Sequence, residues 1–211
     1  MTPENTIRIA LTKGRLEKKT LALLEHSGYD VSELRSGSRK LIFRLPDSNI
    51  ELVLSKAADV ITYVEQGVCD MGVVGKDTIM EKGGAFYETL DLGFGKCRMA
   101  EAAPVGFRED RQRPLRVATK YPSIARRFYA AQSREIEIIK LNGSIELAPL
   151  LGLSDVIVDI VETGTTLREN DLKVITEFMP ISARFIANKA SYPFKKKALT
   201  TLLEKLQEVI G

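Results

Sequence analysis

The sequence predicts an α/β protein of two similar lobes, and three observations carry that prediction. The strand-like runs are mostly continuous and β-branched rather than alternating, which suits strands buried on both faces of a parallel sheet. Helical patterns lie between these runs, giving the βαβα alternation of a mainly parallel sheet. The series then starts afresh near Leu115, after a loop at 108–114 rich in charge and proline.

Strands are expected at 7–11 (IRIAL), 50–54 (IELVL), 71–75 (MGVVG), 115–119 (LRVAT), 136–140 (IEIIK) and 155–161 (DVIVDIV). Leu16 to His26 places apolar residues at helical spacing and stops at Ser27-Gly28, a usual helix end. Further helices are expected from Ala57 to Gln66 and from Ile124 to Ala131, the latter after Pro122-Ser123. The stretch 90–107 reads as extended connecting chain. Ala183 to Ala187 reads as another strand, and Phe194 to Ile210 as an amphipathic helix that returns to the first lobe. Lobe I is then 1–94 plus 181–211, and lobe II is 95–180. No internal repeat is detectable residue by residue, and no segment has low complexity.

Composition narrows the function classes. A chain of 211 residues with ordinary apolar and charged fractions can bury a sizeable core. A formal charge of +3 permits polyanionic small molecules but is too small to argue for nucleic acid. The dense run Lys195-Lys196-Lys197 reads as a solvated helix face. Cys69 and Cys97 lie far apart with no metal or redox spacing, and with one histidine, His26, a structural zinc site is not expected. Both cysteines read as reduced small hydrophobes, and His26 as a cation at a helix C-terminus. The first residues enter a strand without a signal-like apolar core, and no run approaches the ~20 apolar residues of a membrane span, so a cytoplasmic location is expected.

The segment richest in chemistry runs from Glu146 to Leu167. The buried strand DVIVDIV leads into Glu162 and then Thr163-Gly164-Thr165-Thr166. At the C-terminal end of a parallel strand such a turn aims backbone N–H groups where ligands of open α/β sheets bind. Gly164 permits a tight or positive-φ turn, and the threonine hydroxyls add donors, so the turn can cradle a phosphate at the next helix start. Asp159 and Glu162, at the same edge, can accept hydrogen bonds from vicinal sugar hydroxyls. Together this is what a ribose 5-phosphate requires. The plainer alternative is a strand-to-helix turn with Thr165 or Thr166 as N-cap. Glu146, likewise, is either a substrate contact or simply a favourable acid in a first helical turn.

The string E-x5-G-x-S-x2-I-x-D-I-x2-T-G-x-T-L, from Glu146 to Leu167, resembles the signature of ATP phosphoribosyltransferases without departure. The resemblance continues in LTKGRL at 11–16, SRKLIF at 38–43, KAADVITYVEQGVCDMGVVGKD at 56–77 and RVATKYP at 116–122, in the family's order. It implies a two-lobed fold of the type II periplasmic-binding-protein kind, with the active site in the cleft between lobes. It also implies transfer of a phosphoribosyl group from phosphoribosyl pyrophosphate to N1 of ATP, with release of pyrophosphate, the first step of histidine biosynthesis. The family's longer members carry a C-terminal regulatory domain, and this sequence shows none up to Gly211. The expectation is therefore a short form, a homodimer within a hetero-oligomer whose regulatory subunit resembles a histidyl-tRNA synthetase.

By the same resemblance Lys13, Gly14 and Arg15 face the pyrophosphate and nucleotide phosphates, and Arg39 reaches the phosphates from a mobile loop or the neighbouring subunit. Arg15 and Arg39 are the expected catalytic residues. Arginine suits this work because its guanidinium binds phosphate bidentately. The remaining expected substrate contacts are Glu146, Asp159, Glu162 and Thr163, Gly164, Thr165 and Thr166. Mg2+ is the expected cofactor, held mainly by substrate phosphates rather than by protein ligands. N1 of adenine carries no proton at neutral pH, so no general base is assigned. Lys13 and Arg15 as plain surface charges, and Arg39 as a solvated loop charge, are the alternatives for lobe I.

Two other motifs are misleading. Gly72-Val-Val-Gly75-Lys76-Asp77 lacks the length and closing hydroxyl of a phosphate-binding Walker loop, and Gly93-Phe-Gly95 lacks the rest of a dinucleotide fingerprint. Other readings are a solute-binding or effector-sensing module on the same fold, and a different phosphoribosyltransferase. Fold alone does not exclude the module, because function lives in the site. The second alternative fits less well, because Asp159 and Glu162 are separated by Ile160-Val161 rather than adjacent.

Overall fold

The computed structural model describes residues 6–36 and 38–211. The chain divides into two compact units, one running to Gly95 and resuming at Ser182–Gly211, the other Lys96–Ile181. Unit one contains β1 (Ile7–Thr12), α1 (Arg15–His26), α2 (Ser32–Arg35), β2 (Ile42–Arg44), β3 (Ile50–Ser55) and α3 (Ala57–Glu65). It continues with β4 (Met71–Gly75), α4 (Lys76–Lys82) and β5 (Phe86–Asp91). Unit two contains β6 (Cys97–Pro104), β7 (Leu115–Thr119), α5 (Pro122–Ala130), β8 (Ile136–Lys140) and α6 (Leu147–Leu150). It closes with β9 (Val156–Val161), α7 (Thr165–Glu169) and β10 (Leu172–Ile181), after which β11 (Ala183–Asn188) and α8 (Ser191–Ile210) return to unit one.

Each unit has its own sheet. The order is β2-β3-β1-β4-β11-β5 in unit one and β10-β6-β9-β7-β8 in unit two. The expected mainly parallel sheets are in fact mixed. Each has a parallel core of three strands, β3-β1-β4 and β8-β7-β9, flanked by antiparallel strands. The flanking strands lack the β-branched signature of the cores. The middle of β6, in the reputed connecting stretch, is built from alanines, and β5 (FYETLD) carries acids on a half-exposed edge. Strand β10 (LKVITEFMPI) alternates in burial and contains two register shifts, as an edge strand tolerates.

The core of unit one lies on both faces of its sheet. One cluster joins Ile9, Leu11, Leu52 and Phe185 to Leu21 and Leu24 of α1 and Leu199, Leu202 and Leu206 of α8. The other joins Val60, Ile61 and Val64 of α3 to Val74 and Ile186. In unit two Ile157, Val161 and Ala118 pack with Ile145, Ala148 and Leu167 under the short helices α6 and α7. Continuous apolar strands are thus explained by two-sided cover.

Helix α8 begins three residues earlier than its apolar pattern suggests, at Ser191. Buried Asn188 sets that start: its Oδ1 accepts from the Ser191 amide (2.7 Å) and its Nδ2 donates to the Val64 carbonyl (2.7 Å). Pro193 falls in the first turn, where its missing N–H costs nothing. The solvated-face reading of the lysine run holds for Lys196 and Lys197, which are exposed, but not for Lys195. Lys195 Nζ donates to Asp70 Oδ2 (2.8 Å) and to the Thr6 carbonyl (2.7 Å).

A repeat invisible in the residue string emerges at this level. Asp70, just before β4, accepts from the amide of Arg8 in β1 (2.9 Å), and its own amide donates to the Arg8 carbonyl (2.9 Å). Asp155, just before β9, exchanges the same two bonds with Arg116 in β7, each again 2.9 Å. The two units therefore share one βαβ plan with a buried aspartate at the same corner. Cys69 is fully buried, which pushes its thiol up to about 12, and Cys97 is half-buried; neither is in a disulfide. Among the described residues no helix is long and apolar enough to cross a membrane.

Candidate functional site

In unit two the candidate site forms at the C-terminal edge of the parallel strands. Strand β9 outruns β7, its last pairing with it being Thr119 opposite Val158, so Asp159 to Val161 project past the parallel ladder. The chain then turns through Glu162, Thr163 and Gly164 into α7. Gly164 sits at φ 73°, ψ 9°, the left-handed region that other residues enter only at a cost. A Cβ there would stand 3.3 Å from Arg168 Nη1. The N-cap is therefore Gly164, not Thr165 or Thr166, and those threonines form the first turn.

The loop is held by hydrogen bonds. Thr163 Oγ1 and Thr165 Oγ1 lie 3.1 Å apart, and the Thr165 amide points at Thr163 Oγ1 at 3.4 Å. Arg168 donates to the Thr163 carbonyl and to Thr165 Oγ1, both at 3.0 Å. Arg98 donates to the Glu162 carbonyl at 2.8 Å. Because α7 has five residues, its dipole is small, and an anion here would be met chiefly by loop amides, hydroxyls and the Arg168 cation.

Glu146, Asp159 and the whole segment from Glu162 to Thr166 line one pocket of about 230 Å3. The structure thus brings together all seven site residues expected in lobe II. Glu146 is the residue before α6, a single turn after Asn142-Gly143-Ser144, and it lines the same pocket as the threonine loop. Asp159 Oδ1 accepts from the Ile160 amide at 2.8 Å. Larger hollows exist, including a groove of about 780 Å3 beside α8, but its loop, Asp47-Ser48-Asn49, has no glycine turn with flanking threonines.

Unit one presents the other expected residues at the matching edge of its own sheet. Thr12 ends β1 and donates from Oγ1 to the Val73 carbonyl (2.9 Å), and the Lys13 amide donates to the Ser55 carbonyl (2.9 Å). Gly14 turns the chain at φ 101° into α1, and its amide donates to Glu17 Oε2 (3.0 Å), fixing the first helical turn. Lys13, Gly14 and Arg15 are all exposed. Arg39 is also exposed, in the irregular segment before β2. The Leu41 carbonyl accepts from the Leu54 amide (2.8 Å), so the chain before Leu41 lies beside the end of β3, on the Lys13 edge. His26 Nδ1 is 2.6 Å from the Ala22 carbonyl in the last turn of α1, far in sequence and role from this edge.

Sequence reasoning missed Arg98 and Arg168, which shape the loop without belonging to its motif. It also missed Asp155, whose carboxylate is gripped by Arg113 (2.7 and 2.9 Å) and Arg116 (2.8 Å) and held well below the usual carboxylate range by those hydrogen bonds. The signal for Asp155 was present as a charge inside an apolar strand pattern. Among the described residues no group of three or more His, Cys, Asp or Glu side chains is placed to hold a metal.

Comparison with known proteins agrees with this geometry. A model of the HisG family, ATP phosphoribosyltransferase, matches residues 56–208. An ATP phosphoribosyltransferase from Brachyspira hyodysenteriae is 53% identical over 205 residues, covering 97% of this chain and all of the relative. One from Clostridium kluyveri is 50% identical over 213 residues, covering 100% and 97%. Among solved structures, the chain resembles a chain of the ATP phosphoribosyl transferase (HisG:HisZ) complex from Thermotoga maritima with a TM-score of 0.83, at 35% identity and 97% and 98% coverage. The periplasmic aliphatic sulphonate binding protein of Escherichia coli matches with a TM-score of 0.62 at 14% identity, covering 99% of this chain and 69% of that one, a likeness of fold alone. The chain has the two-lobed fold of type II periplasmic binding proteins, and it belongs to the ATP phosphoribosyltransferase family.

Proposed function

We propose that this chain transfers the 5-phosphoribosyl group of phosphoribosyl pyrophosphate to N1 of ATP, the first step of histidine biosynthesis. One observation carries the substrate assignment: a left-handed glycine turn with threonine hydroxyls shares one pocket at the end of β9 with the carboxylates of Glu146, Asp159 and Glu162. In the reaction the bond from the anomeric carbon to pyrophosphate breaks and a bond to N1 forms, through an oxocarbenium-like state. The adenine N1 lone pair is the nucleophile, so no protein base is required.

The residues divide the work. The amides and hydroxyls of Thr163, Gly164, Thr165 and Thr166 bind the 5-phosphate, and Asp159 and Glu162 accept from the ribose hydroxyls. Glu146 closes the pocket across from them. Lys13, Gly14 and Arg15 receive the pyrophosphate and nucleotide phosphates, with Arg39 as a second guanidinium; Arg15 and Arg39 stabilise charge on the departing pyrophosphate. The carboxylates of Asp159 and Glu162 are hard oxygen donors of the kind that would accept Mg2+ brought in on substrate phosphates. When bound, that ion neutralises developing charge on the leaving group.

The assembly proposed is a homodimer that joins a histidyl-tRNA synthetase-like regulatory subunit in the cytoplasm. The partner is supported by the 0.83 TM-score to a chain solved as a HisG:HisZ complex. The test is pyrophosphate release from purified protein with ATP, phosphoribosyl pyrophosphate and Mg2+, with and without the partner. Release that needs both substrates and yields phosphoribosyl-ATP is the expected result. Ligand binding without release in either condition would point instead to a non-catalytic binding module.

A further inference from the structure

We propose that Arg98, which no motif of the loop includes, is a positioning residue that orients the peptide planes of the β9–α7 turn for phosphate binding. The inference rests on the reading of that turn as the ribose-phosphate site. Arg98 is the second residue of β6 and lies opposite Val161, the last residue of β9. Pairing between the two strands stops there, so the carbonyls at the exit of β9 need another partner. Arg98 Nη1 supplies it, donating to the Glu162 carbonyl at 2.8 Å and to the Val161 carbonyl at 3.4 Å. Its other side is anchored by an ion pair between Nε and Glu177 of β10.

Peptide geometry turns this contact into an effect on the ligand. The peptide bonds are trans, so each carbonyl points opposite to the N–H of the residue that follows. Holding the Glu162 carbonyl toward Arg98 aims the Thr163 N–H away from β6. The next two planes are set locally, since Arg168 Nη1 holds the Thr163 carbonyl (3.0 Å) and the Arg168 amide holds the Gly164 carbonyl (3.1 Å). The first of these three planes is held from a distant element, by the Arg98 side chain. A guanidinium fits because it can serve carbonyls and a carboxylate at once from one rigid fork, which an ammonium cannot.

Unit one contains a built-in control. Arg184 is likewise the second residue of its strand, β11, and pairs with acids on the neighbouring β5, Asp91 (2.8 Å) and Glu88 (3.2 Å). It lies opposite Val74, one residue before the end of β4.

The test measures the dissociation constant of phosphoribosyl pyrophosphate with Mg2+ by calorimetry, KM for ATP, and melting temperature, on the full chain. Arg98→Met is expected to weaken phosphoribosyl pyrophosphate about tenfold, the effect of losing one charge-assisted hydrogen bond. KM for ATP should stay within about twofold. Arg98→Lys should fall between wild type and Arg98→Met, and Glu177→Gln should weaken the same ligand about threefold by loosening the anchor. Arg184→Met should lower the melting temperature and leave that dissociation constant unchanged. If Arg98→Met does not fold, Arg98→Lys and Glu177→Gln give the same readout. Arg98 variants that bind phosphoribosyl pyrophosphate like wild type, or lose both ligands equally with a fall in melting temperature, would overturn the inference alone. Wild-type protein that binds none would overturn the reading of the loop with it.

Discussion

The parallel cores of the two units share one plan, with the first strand central, the second on one side and the third on the other. At the N-terminal edge they match residue for residue, Arg8 and Asp70 against Arg116 and Asp155. At the C-terminal edge they part. The third strand of unit one, β4, runs directly into α4 through Gly75 with ordinary backbone angles. The third strand of unit two, β9, is longer by one residue and ends in the left-handed Gly164 turn. The first strands differ in the opposite sense. β1 exits through Lys13-Gly14-Arg15 with Gly14 at φ 101°, whereas β7 exits through Lys120-Tyr121 into a helix begun by Pro122. One scaffold therefore carries two different turns at its strand ends, a cationic one after β1 and a hydroxyl-rich one after β9. The shared edge is held by the same aspartate-to-backbone bonds in both units, and the proposed function places the chemistry on the divergent edge.

The largest effect that would break this division is at Gly164. Gly164→Val must leave the left-handed region or strain it, and its side chain would press on Arg168. We expect kcat/KM for phosphoribosyl pyrophosphate to fall at least about 100-fold, the scale of losing a preorganised donor, with little change in ATP binding. Steady-state kinetics with each substrate varied checks this. An unchanged value would mean that the turn is structural and the edges do not differ in role.

The shared corner comes next. Asp155→Asn leaves Arg113 and Arg116 without their carboxylate; both arginines are partly exposed, so solvent screens much of the loss. A destabilisation of about 2 kcal/mol is expected from the denaturant midpoint. Asp70→Asn, which releases the single ammonium of Lys195 rather than two guanidinium groups among the described residues, should cost about 1 kcal/mol. Equal losses would show that the guanidinium pair adds nothing beyond what the single ammonium of Lys195 gives Asp70.

Acid sharpens the same contrast. Arg113 and Arg116 hold the Asp155 carboxyl below its unfolded value, so its contribution is fully present above about pH 4 and is lost as pH falls further. Thermal melts from pH 6 to pH 2 should show an acid limb that Asp155→Asn flattens.

The smallest effect is at Glu101. Its carboxyl is buried, accepts from the Tyr129 hydroxyl at 2.5 Å, and is pushed above the usual range by burial. A raised carboxyl loses stability as pH rises from its unfolded value through its folded one, the opposite sign to Asp155. Glu101→Gln keeps an acceptor for Tyr129 and should stabilise the protein at pH 7 by less than about 1 kcal/mol, with the gain vanishing near pH 4. Paired melts at the two pH values decide it.

Much of this was legible in the residue string. Buried β-branched runs at 7–11, 50–54, 71–75, 115–119, 136–140 and 155–161 each contain a strand, because two-sided burial leaves a continuous apolar signature. The candidate loop was legible because a glycine between threonines at a strand end is a local, backbone-determined feature. Strands β2, β5, β6 and β10 were not read as strands. Their residues are alanines, acids and edge-strand alternations whose pairing depends on partners distant in sequence.

By itself the sequence determined the alternation of elements, the glycine turn at 164, and the strings that place the chain in its family. These depend on near neighbours, whose backbone preferences and spacing any reader of the chain can weigh. Only the tertiary structure decided that Lys195 serves Asp70 rather than solvent, that Asp70 and Asp155 occupy one repeated corner, and that Arg98 reaches the exit of β9 from a strand 64 residues earlier than Glu162. Those contacts arise from strand order and register, which no local pattern encodes, because each is chosen by the packing of the whole sheet.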